Sequence, residues 1–269
     1  LLDKGEIASC VTMHYNFPIG VSTVGRVITP ARGTEMLLAT TTGTSATNRV
    51  EAMVRNTLYG IATAKSLGKS NPTVGIANVE GARQVEKVLL DLKENGYEFE
   101  FATSQRADGG SVMRGNDLLM GTPDVMVVDS LTGNLFMKVF SAFTTGGDYE
   151  ASGFGYGPGV GEDYDRRILI LSRASGSPVV ANALKYAYEV AKGKVNEIAR
   201  QEFEKANIGI KTIRIDKKGN PRESMSFPKF KILDFVQETF DSSELYNYFY
   251  EKRFLFVVFK ENMAGEYEL

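Results

Sequence analysis

Cysteine, histidine and tryptophan are nearly absent from this chain. Its 269 residues include one cysteine, one histidine and no tryptophan. The single cysteine, Cys10, excludes an internal disulfide framework and is compatible with a reducing compartment, so we expect a cytoplasmic protein. No apolar run reaches the length of a membrane span, and the amino-terminal residues lack the basic-then-apolar pattern of a signal peptide.

An excess of basic charge is also missing. The formal net charge is −2 at pH 7, so no broad positive field favours nucleic acid, and DNA is not expected as a partner. The chain starts with Leu1 rather than methionine, and we expect a truncated amino terminus.

Glycine becomes scarce after Ala206. Residues 1–206 hold 24 of the 27 glycines, whereas residues 207–269 hold 3 glycines but 12 of the 28 phenylalanine and tyrosine residues. This change in composition predicts a boundary at 206 between two domains.

Apolar segments of strand and helix character alternate along residues 1–206. Asn48, followed three residues later by Glu51, resembles a capping box at a helix start, and Gly68 suits the helix end. The order of segments predicts an α/β fold with a mainly parallel sheet and helices on both faces. Predicted strands lie at 36–39, 72–78, 97–102, 125–128 and 167–171.

Residues 207–269 predict a second, smaller α/β unit. The alternating run 208–215 and the apolar run 254–259 predict strands, separated by helical segments at 230–240 and 244–250. A polar turn is expected at 216–220.

The stretch 123–161 carries the strongest functional signal. An apolar run ends in Asp129, a turn with Gly133 follows, and apolar residues then recur at helical spacing. Strand, glycine turn and helix in this order place backbone N–H groups at a helix N-terminus, where they can hold a phosphate or an oxyanion. Seven glycines follow and permit close backbone approach to a ligand, at 146, 147, 153, 155, 157, 159 and 161. The alternative is an ordinary turn followed by a loop.

Loops that follow parallel strands meet at one edge of the sheet, where ligands of such folds bind. We therefore expect convergence of the loops 40–49, 78–83, 103–116, 129–134 and 172–177.

Four segments of residues 1–206 resemble the PlsX phosphate acyltransferases, and within that family the PlsX-like alpha subunits of component C of glycine/sarcosine/betaine reductase. The segments are MVRNTLYGIATAKSLG, PTVGIANVEGARQVEK, the stretch from Arg106 to Arg166, and ILSRASGSPVVANALKYA. The resemblance implies a three-layer fold of the isopropylmalate dehydrogenase and phosphotransacetylase type. The family's first strands are absent here.

The resemblance also implies site residues. The segment DSLTGNLFMK matches an active-site turn of PlsX, D-G-F-T-G-N-x-x-x-K, which implies catalytic roles for Asn134 and Lys138 and phosphate contacts from Asp129, Thr132 and Gly133. The residues Ser130-Leu131 depart from this pattern, which bears on the acyl group that fits.

Two further PlsX regions are matched in part. The loop D-V-G-A-N of PlsX corresponds to Thr41–Ser45, which keeps Gly43 but neither the Asp nor the Asn; Gly43 and Ser45 are implied substrate contacts. The region of the PlsX catalytic lysine falls near Asn78–Gln84, where Arg83 is the only cation. Asn78 and Arg83 are the corresponding candidates.

The implied activity is transfer of an acyl group, acetyl in the reductase complex, from a thioester to inorganic phosphate. The implied partners are an acyl thioester, or a carrier or selenoprotein subunit of a reductase complex, in a homo- or hetero-oligomer. Inorganic phosphate is the substrate, and neither a cofactor nor a metal is expected.

Residues 207–269 resemble the carboxyl-terminal part of MutH-like restriction endonucleases through GIKTIRIDKKGNPRESMSFPKFK and KRFLFVVF. Those enzymes hold Mg²⁺ with an Asp and the Glu of an E-x-K pair. Lys211 matches the lysine, but Gly209 stands where the glutamate belongs. The resemblance therefore implies a nuclease remnant that lacks the carboxylates needed to hold a metal and activate water.

Several residues keep two interpretations. Cys10 is either a buried structural thiol or a nucleophile that carries an acetyl thioester, with His14 four residues away as its base. Lys138 is either an anion contact or a solvated helix lysine. At the level of the whole chain, the alternatives to acyl transfer are a DNA-binding or endonuclease fragment and a non-functional fusion.

Overall fold

A computed structural model of the chain describes residues 1–145, 153–164, 166–206, 208–222, 243–251 and 253–268. The chain divides into two compact units, Leu1–Lys205 and Ala206–Leu269. The helix predicted at 230–240 and the glycines at 146 and 147 lie outside the described residues. No helix among the described residues is long and apolar enough to cross a membrane.

The first unit alternates strands and helices. Its elements in chain order are β1 (Cys10–Thr12), β2 (Val21–Ile28), β3 (Glu35–Thr44), α1 (Arg49–Ser66), β4 (Thr73–Ala77), α2 (Ala82–Glu94), β5 (Glu100–Phe101), β6 (Val112–Met113), α3 (Gly115–Met120), β7 (Val125–Val127), α4 (Ser130–Thr145), β8 (Gly157–Val160), β9 (Ile168–Ile170), α5 (Ser177–Lys192) and α6 (Val195–Ala206).

These nine strands form one sheet in the order β1-β9-β8-β2-β3-β7-β4-β5, with β6 also paired to β4. The strands β3 to β7 are all parallel, and β1 is parallel to β9. The strand β2 is antiparallel to β3 and β8, and β8 is antiparallel to β9. The prediction of an α/β fold with a mainly parallel sheet is confirmed.

The antiparallel pairs change the direction of the strands on one side of the sheet, so that β9 and β1 run opposite to β3. Because β9 runs opposite to β3, the loop 172–177 leaves from the other end of the sheet than the loop 129–134. The expectation that the loop 172–177 converges with the other four is therefore wrong.

The strand β2 was not predicted, because its sequence VSTVGRVI mixes polar residues and glycine with apolar ones. It is nevertheless largely buried. Its polar side chains find partners across the strand: the Ser22 hydroxyl lies 2.7 Å from the Ser45 hydroxyl, and the Thr23 hydroxyl lies 2.7 Å from that of Thr41. Satisfied hydrogen bonds remove the penalty of burying these groups.

The helix α1 begins as the sequence predicts. Asn48 is its N-cap residue, and the Oδ1 atom of Asn48 accepts the Glu51 N–H at 3.1 Å. Gly68 follows the last turn with a φ of +93°, a conformation that glycine adopts at low cost. The helix packs against β3 and β7.

The segment 97–116 is less extended and more structured than predicted. The strand expected at 97–102 is limited to β5, and the loop expected at 103–116 contains β6 and the start of α3. Buried Asp117 organises this segment, since it accepts hydrogen bonds from two backbone N–H groups, of Gln105 and Arg114. Burial by itself raises the pKa of Asp117, but these bonds outweigh burial and lower it.

The second unit contains β10 (Ile208–Ile215), α7 (Glu244–Glu251), β11 (Arg253–Glu261) and β12 (Tyr267–Glu268). The strand β10 pairs in parallel with β11, which pairs antiparallel with β12. The predicted strands at 208–215 and 254–259 and the helix at 244–250 are confirmed. Asp216 closes the predicted polar turn by accepting the N–H groups of Lys218 and Asn220.

A buried carboxylate links α1 and α6. Glu202 is 1% exposed and accepts hydrogen bonds from Lys65 at 2.8 Å, Tyr97 at 2.8 Å and Lys205 at 3.0 Å. Burial alone raises the pKa of Glu202, but the bonds from Lys65 and Tyr97 outweigh burial, and the pKa falls below the ordinary value.

We expect Glu202→Gln to lower the free energy of unfolding by about 2 kcal/mol at neutral pH, because the lysines and Tyr97 lose a charged acceptor. A carboxyl group with a lowered pKa stabilises the fold above its unfolded pKa of about 4.3 and stops doing so as the pH falls through the folded value. The difference between the variant and the unchanged chain should therefore shrink below about pH 4.3.

Urea unfolding at several pH values tests this expectation. The control is Glu197→Gln on the same helix, since Glu197 is 46% exposed and its change should stay within about 0.5 kcal/mol. Equal stability of Glu202→Gln and the unchanged chain at pH 7 would contradict the expectation.

Candidate functional site

A small polar cavity lies beyond the carboxyl ends of β3 and β7. Its volume is about 240 Å³. Both α1 and α4 begin at its wall, so two helix N-termini border it. The described residues that line it are Ser22, Thr40, Gly43, Thr44, Ser45, Ala46, Thr47, Arg49, Ala52, Asn56, Asp129, Ser130 and Leu131. The structure thus brings together the two segments that the sequence singles out, 41–45 and 129–134. Both were predicted as loops, but residues 41–44 belong to β3 and residues 130–134 form the first turn of α4.

Asp129 caps the helix α4. One oxygen of its carboxylate accepts the N–H groups of Leu131 and Thr132, each at 3.1 Å, and the other accepts the Thr132 hydroxyl at 2.6 Å. The first-turn donors that we expected to hold phosphate are therefore engaged by a charge of the chain itself. Phosphate binding by this turn stays a prediction.

Gly133 and Asn134 hold the first turn of α4 in close contact with β3. A Cβ atom at Gly133 would lie 1.8 Å from the Thr40 carbonyl oxygen, so only glycine fits. The Asn134 side chain donates to the Thr41 carbonyl at 3.2 Å. In this structure the T-G-N motif fixes the cavity wall.

Lys138 does not line the cavity. Its Nζ atom donates to the Tyr156 hydroxyl at 2.7 Å. The Tyr156 carbonyl in turn accepts the Thr41 hydroxyl at 2.6 Å. Lys138 is thus connected to Thr41 of β3 through Tyr156.

A buried polar network supports the cavity floor, and sequence reasoning missed its centre, Asn56. The Asn56 Oδ1 atom accepts the Ser45 hydroxyl, and its Nδ2 atom donates to the Val128 carbonyl at 2.9 Å. Asn56 therefore joins the loop after β3 to the end of β7. The available signal was an asparagine within the apolar face of a predicted helix.

Thr40 is a second residue of the cavity that the sequence did not indicate as a site residue. The residue is 1% exposed and lines the cavity, and its hydroxyl has no hydrogen-bond partner among the described residues. A buried hydroxyl without a partner is costly and is commonly satisfied by a ligand or a water molecule.

The loop 78–83 reaches the cavity through Glu80, which pairs with Arg49 at 3.1 Å. The two candidates from this loop, Asn78 and Arg83, do not line the cavity. The Asn78 backbone N–H donates to the Met113 carbonyl, and Arg83 pairs with Glu86 at 2.7 Å.

Cys10 and His14 lie at the edge of the sheet that is distant from the cavity. Cys10 is on the edge strand β1, four strand spacings or roughly 19 Å along the sheet from β3. Within the described part of the chain no hydrogen bond joins Cys10 to His14, and burial raises the pKa of the Cys10 thiol. The structure therefore does not bring this pair to the cavity.

In the second unit, Lys211 lies on β10 opposite Phe256 of β11, and Gly209 lies opposite Phe254. No group of three or more His, Cys, Asp or Glu side chains among the described residues is placed to hold a metal ion.

In mainly parallel α/β sheets small ligands bind beyond the carboxyl ends of the strands, and the polar cavity of this chain lies at that edge. A family model described as "Fatty acid synthesis protein" matches residues 1–219, and the chain belongs to this family.

Individual relatives agree with the resemblance to PlsX. The chain is 62% identical over 239 residues to the glycine/sarcosine/betaine reductase complex component C subunit alpha of Peptoclostridium acidaminophilum, a match that covers 87% of this chain and 62% of that relative. It is 29% identical over 136 residues to a phosphate acyltransferase of Fervidobacterium nodosum, covering 51% of this chain and 40% of that relative. The predicted resemblance to PlsX-like proteins is confirmed.

Two other similarities are shorter or more distant. The chain is 42% identical over 71 residues to the type II restriction enzyme Sau3AI of Staphylococcus aureus, covering 24% of this chain and 14% of that enzyme. A branched-chain phosphotransacylase from Enterococcus faecalis V583 is 20% identical with a TM-score of 0.45, covering 64% of this chain and 65% of that one.

The chain spans 62% of the length of the component C relative. The match to this relative covers 87% of the present chain, which is more than residues 1–206 make up. The match therefore extends into the residues after 206. The assignment of the two units to two families stays a prediction.

We expect Gly133→Ala to lower the free energy of unfolding by about 2 kcal/mol or more, because the new methyl group collides with the Thr40 carbonyl and must push α4 away from β3. Thermal unfolding measures the effect. The control is Gly115→Ala at the start of α3, where a Cβ atom meets nothing within 4 Å. A Gly133→Ala variant that matches this control would show that α4 is not held at this contact.

Proposed function

We propose that the chain transfers a small acyl group from a thioester to inorganic phosphate and releases an acyl phosphate. The observation that carries this proposal is the cavity formed by the end of β3 and the start of α4. The resemblance to PlsX implies that these segments, 41–45 and 129–134, correspond to active-site segments of that family. The names of the relatives, a phosphate acyltransferase and a reductase complex component, support the same reaction.

In the proposed reaction a phosphate oxygen attacks the thioester carbonyl carbon. The carbon–oxygen bond forms, the carbon–sulfur bond breaks, and the thiolate leaves and takes up a proton. The protein contributes by holding both reactants in place and by stabilising the oxyanion. Asn134 and Gly133 contribute by fixing the wall through their contacts with Thr41 and Thr40.

The size of the cavity favours a short acyl group. Its volume of about 240 Å³ is below the roughly 300–1,000 Å³ of typical drug-sized ligand sites. Acetyl is therefore the proposed group, and its donor is the thioester of a carrier or selenoprotein subunit within a reductase complex. No cofactor enters this scheme.

The proposed route does not pass through Cys10. A thiol with a raised pKa is a poorer nucleophile at neutral pH, and β1 is far from the cavity along the sheet.

Mass spectrometry after incubation with acetyl phosphate should find Cys10 unmodified, and an acetyl adduct there would favour an acyl-enzyme route instead.

The activity test uses acetyl-coenzyme A as a small thioester and measures phosphate-dependent release of thiol together with acetyl phosphate. We expect Asn134→Ala to lower the rate about tenfold, because Thr41 at the end of β3 loses its hydrogen bond to α4. Asn95→Ala, which removes an exposed amide at the end of α2, is the matched control. Thiol release that is independent of phosphate would contradict the proposal.

A second candidate function rests on the similarity to Sau3AI. We expect no magnesium-dependent cleavage of duplex DNA, because Gly209 replaces the glutamate that would share the metal with an upstream aspartate. An intact restriction endonuclease provides the positive control for the assay. Cleavage by this chain that disappears in Lys211→Ala would show that the second unit is an active nuclease.

A further inference from the structure

We infer that Arg49 is the cation that binds the substrate phosphate, and that Glu80 is an exchangeable partner that occupies Arg49 when phosphate is absent. This inference rests on the proposed function, since it names the charge that this cavity offers to phosphate. Among the described residues that line the cavity, Arg49 is the only Lys or Arg.

The helix termini place the favourable field on the Arg49 side. Negative charge is stabilised at a helix N-terminus. At α4 this position is already filled by the carboxylate of Asp129. At α1 the cap is the neutral side chain of Asn48, and the nearby Glu51 is paired with Arg55 at 3.1 Å. An anion in the cavity is therefore attracted toward the start of α1, where Arg49 lies.

The unpartnered hydroxyl of Thr40 is an independent indication of a ligand. It belongs to a fully buried residue in the wall of the same cavity. Phosphate offers several oxygen acceptors, which suit the hydroxyl donor of Thr40 and the guanidinium group of Arg49.

The pair between Arg49 and Glu80 is weak enough to exchange. Its side chains are 48% and 87% exposed, and pairs of this kind contribute little. A guanidinium group can bind phosphate through two parallel hydrogen bonds, which is stronger than one contact with an exposed carboxylate. Phosphate and Glu80 therefore compete for Arg49, and removing the charge of Glu80 should favour phosphate.

The experiment measures the affinity of the full 269-residue chain for inorganic phosphate by titration calorimetry at constant ionic strength. We expect Arg49→Met to weaken binding at least about tenfold and Glu80→Gln to strengthen it up to about fivefold. The matched control is Arg166→Met, because Arg166 is 49% exposed and paired with the exposed Asp3 at 2.9 Å. Its affinity should equal that of the unchanged chain. Arg83→Met tests the other candidate cation, and circular dichroism should show all four variants folded.

The inference is supported if phosphate affinity falls in Arg49→Met and rises in Glu80→Gln. Equal affinity of Arg49→Met and the unchanged chain, a weakening in Arg83→Met instead, or no phosphate binding by the unchanged chain would each overturn it. If Arg49→Met forms acetyl phosphate with the same KM for phosphate as the unchanged chain, the inference is overturned and the proposed function is kept. Arg49-dependent phosphate binding without any acyl transfer keeps the inference and overturns the proposed function.

Discussion

The close approach of Gly133 to the Thr40 carbonyl is the contact on which the rest of the site depends. Without a side chain at 133, the first turn of α4 lies directly on the end of β3. That position carries Asp129 and Ser130 to the loop after β3, and the Asn134 amide then ties the same turn to Thr41. A rigid helix start packed on a rigid strand end holds the cavity wall more firmly than two free loops would.

The hydroxyl-rich run 40–45, at the carboxyl end of β3, extends this constraint into the buried part of the sheet. Hydroxyls of Thr41 and Ser45 bond across to β2, and Ser45 also bonds to Asn56 of α1. Each bond satisfies a group whose burial is otherwise costly, so the loop has few alternative arrangements. Thr40 alone in this run keeps an unsatisfied buried hydroxyl, and it does so at the cavity.

Sequence patterns predicted the elements that depend on local signals. Asn48 and Glu51 marked the start of α1, and the run before Asp129 marked β7 and the turn after it. Strand direction could not be predicted in this way, because β2 and β8 lie between β3 and β9 through pairings between distant residues. The same limit applies to Asn56 and Arg49, whose partners Val128 and Glu80 are remote in sequence. Proximity of Cys10 and His14 in sequence was likewise no guide to their place in the sheet.

The two helix N-termini at the cavity differ in charge, and this difference orients the proposed reactants. The α4 terminus is neutralised by the fixed carboxylate of Asp129, which repels a phosphate placed beside it. The α1 terminus has a neutral cap and lies next to Arg49, so it attracts the phosphate. The less charged acyl group of the proposed reaction is then expected on the α4 side, where Ser130 and Leu131 line the cavity. Under the proposed function, Ser130 and Leu131, the two residues that depart from the PlsX turn, are therefore the residues expected to influence which acyl group fits.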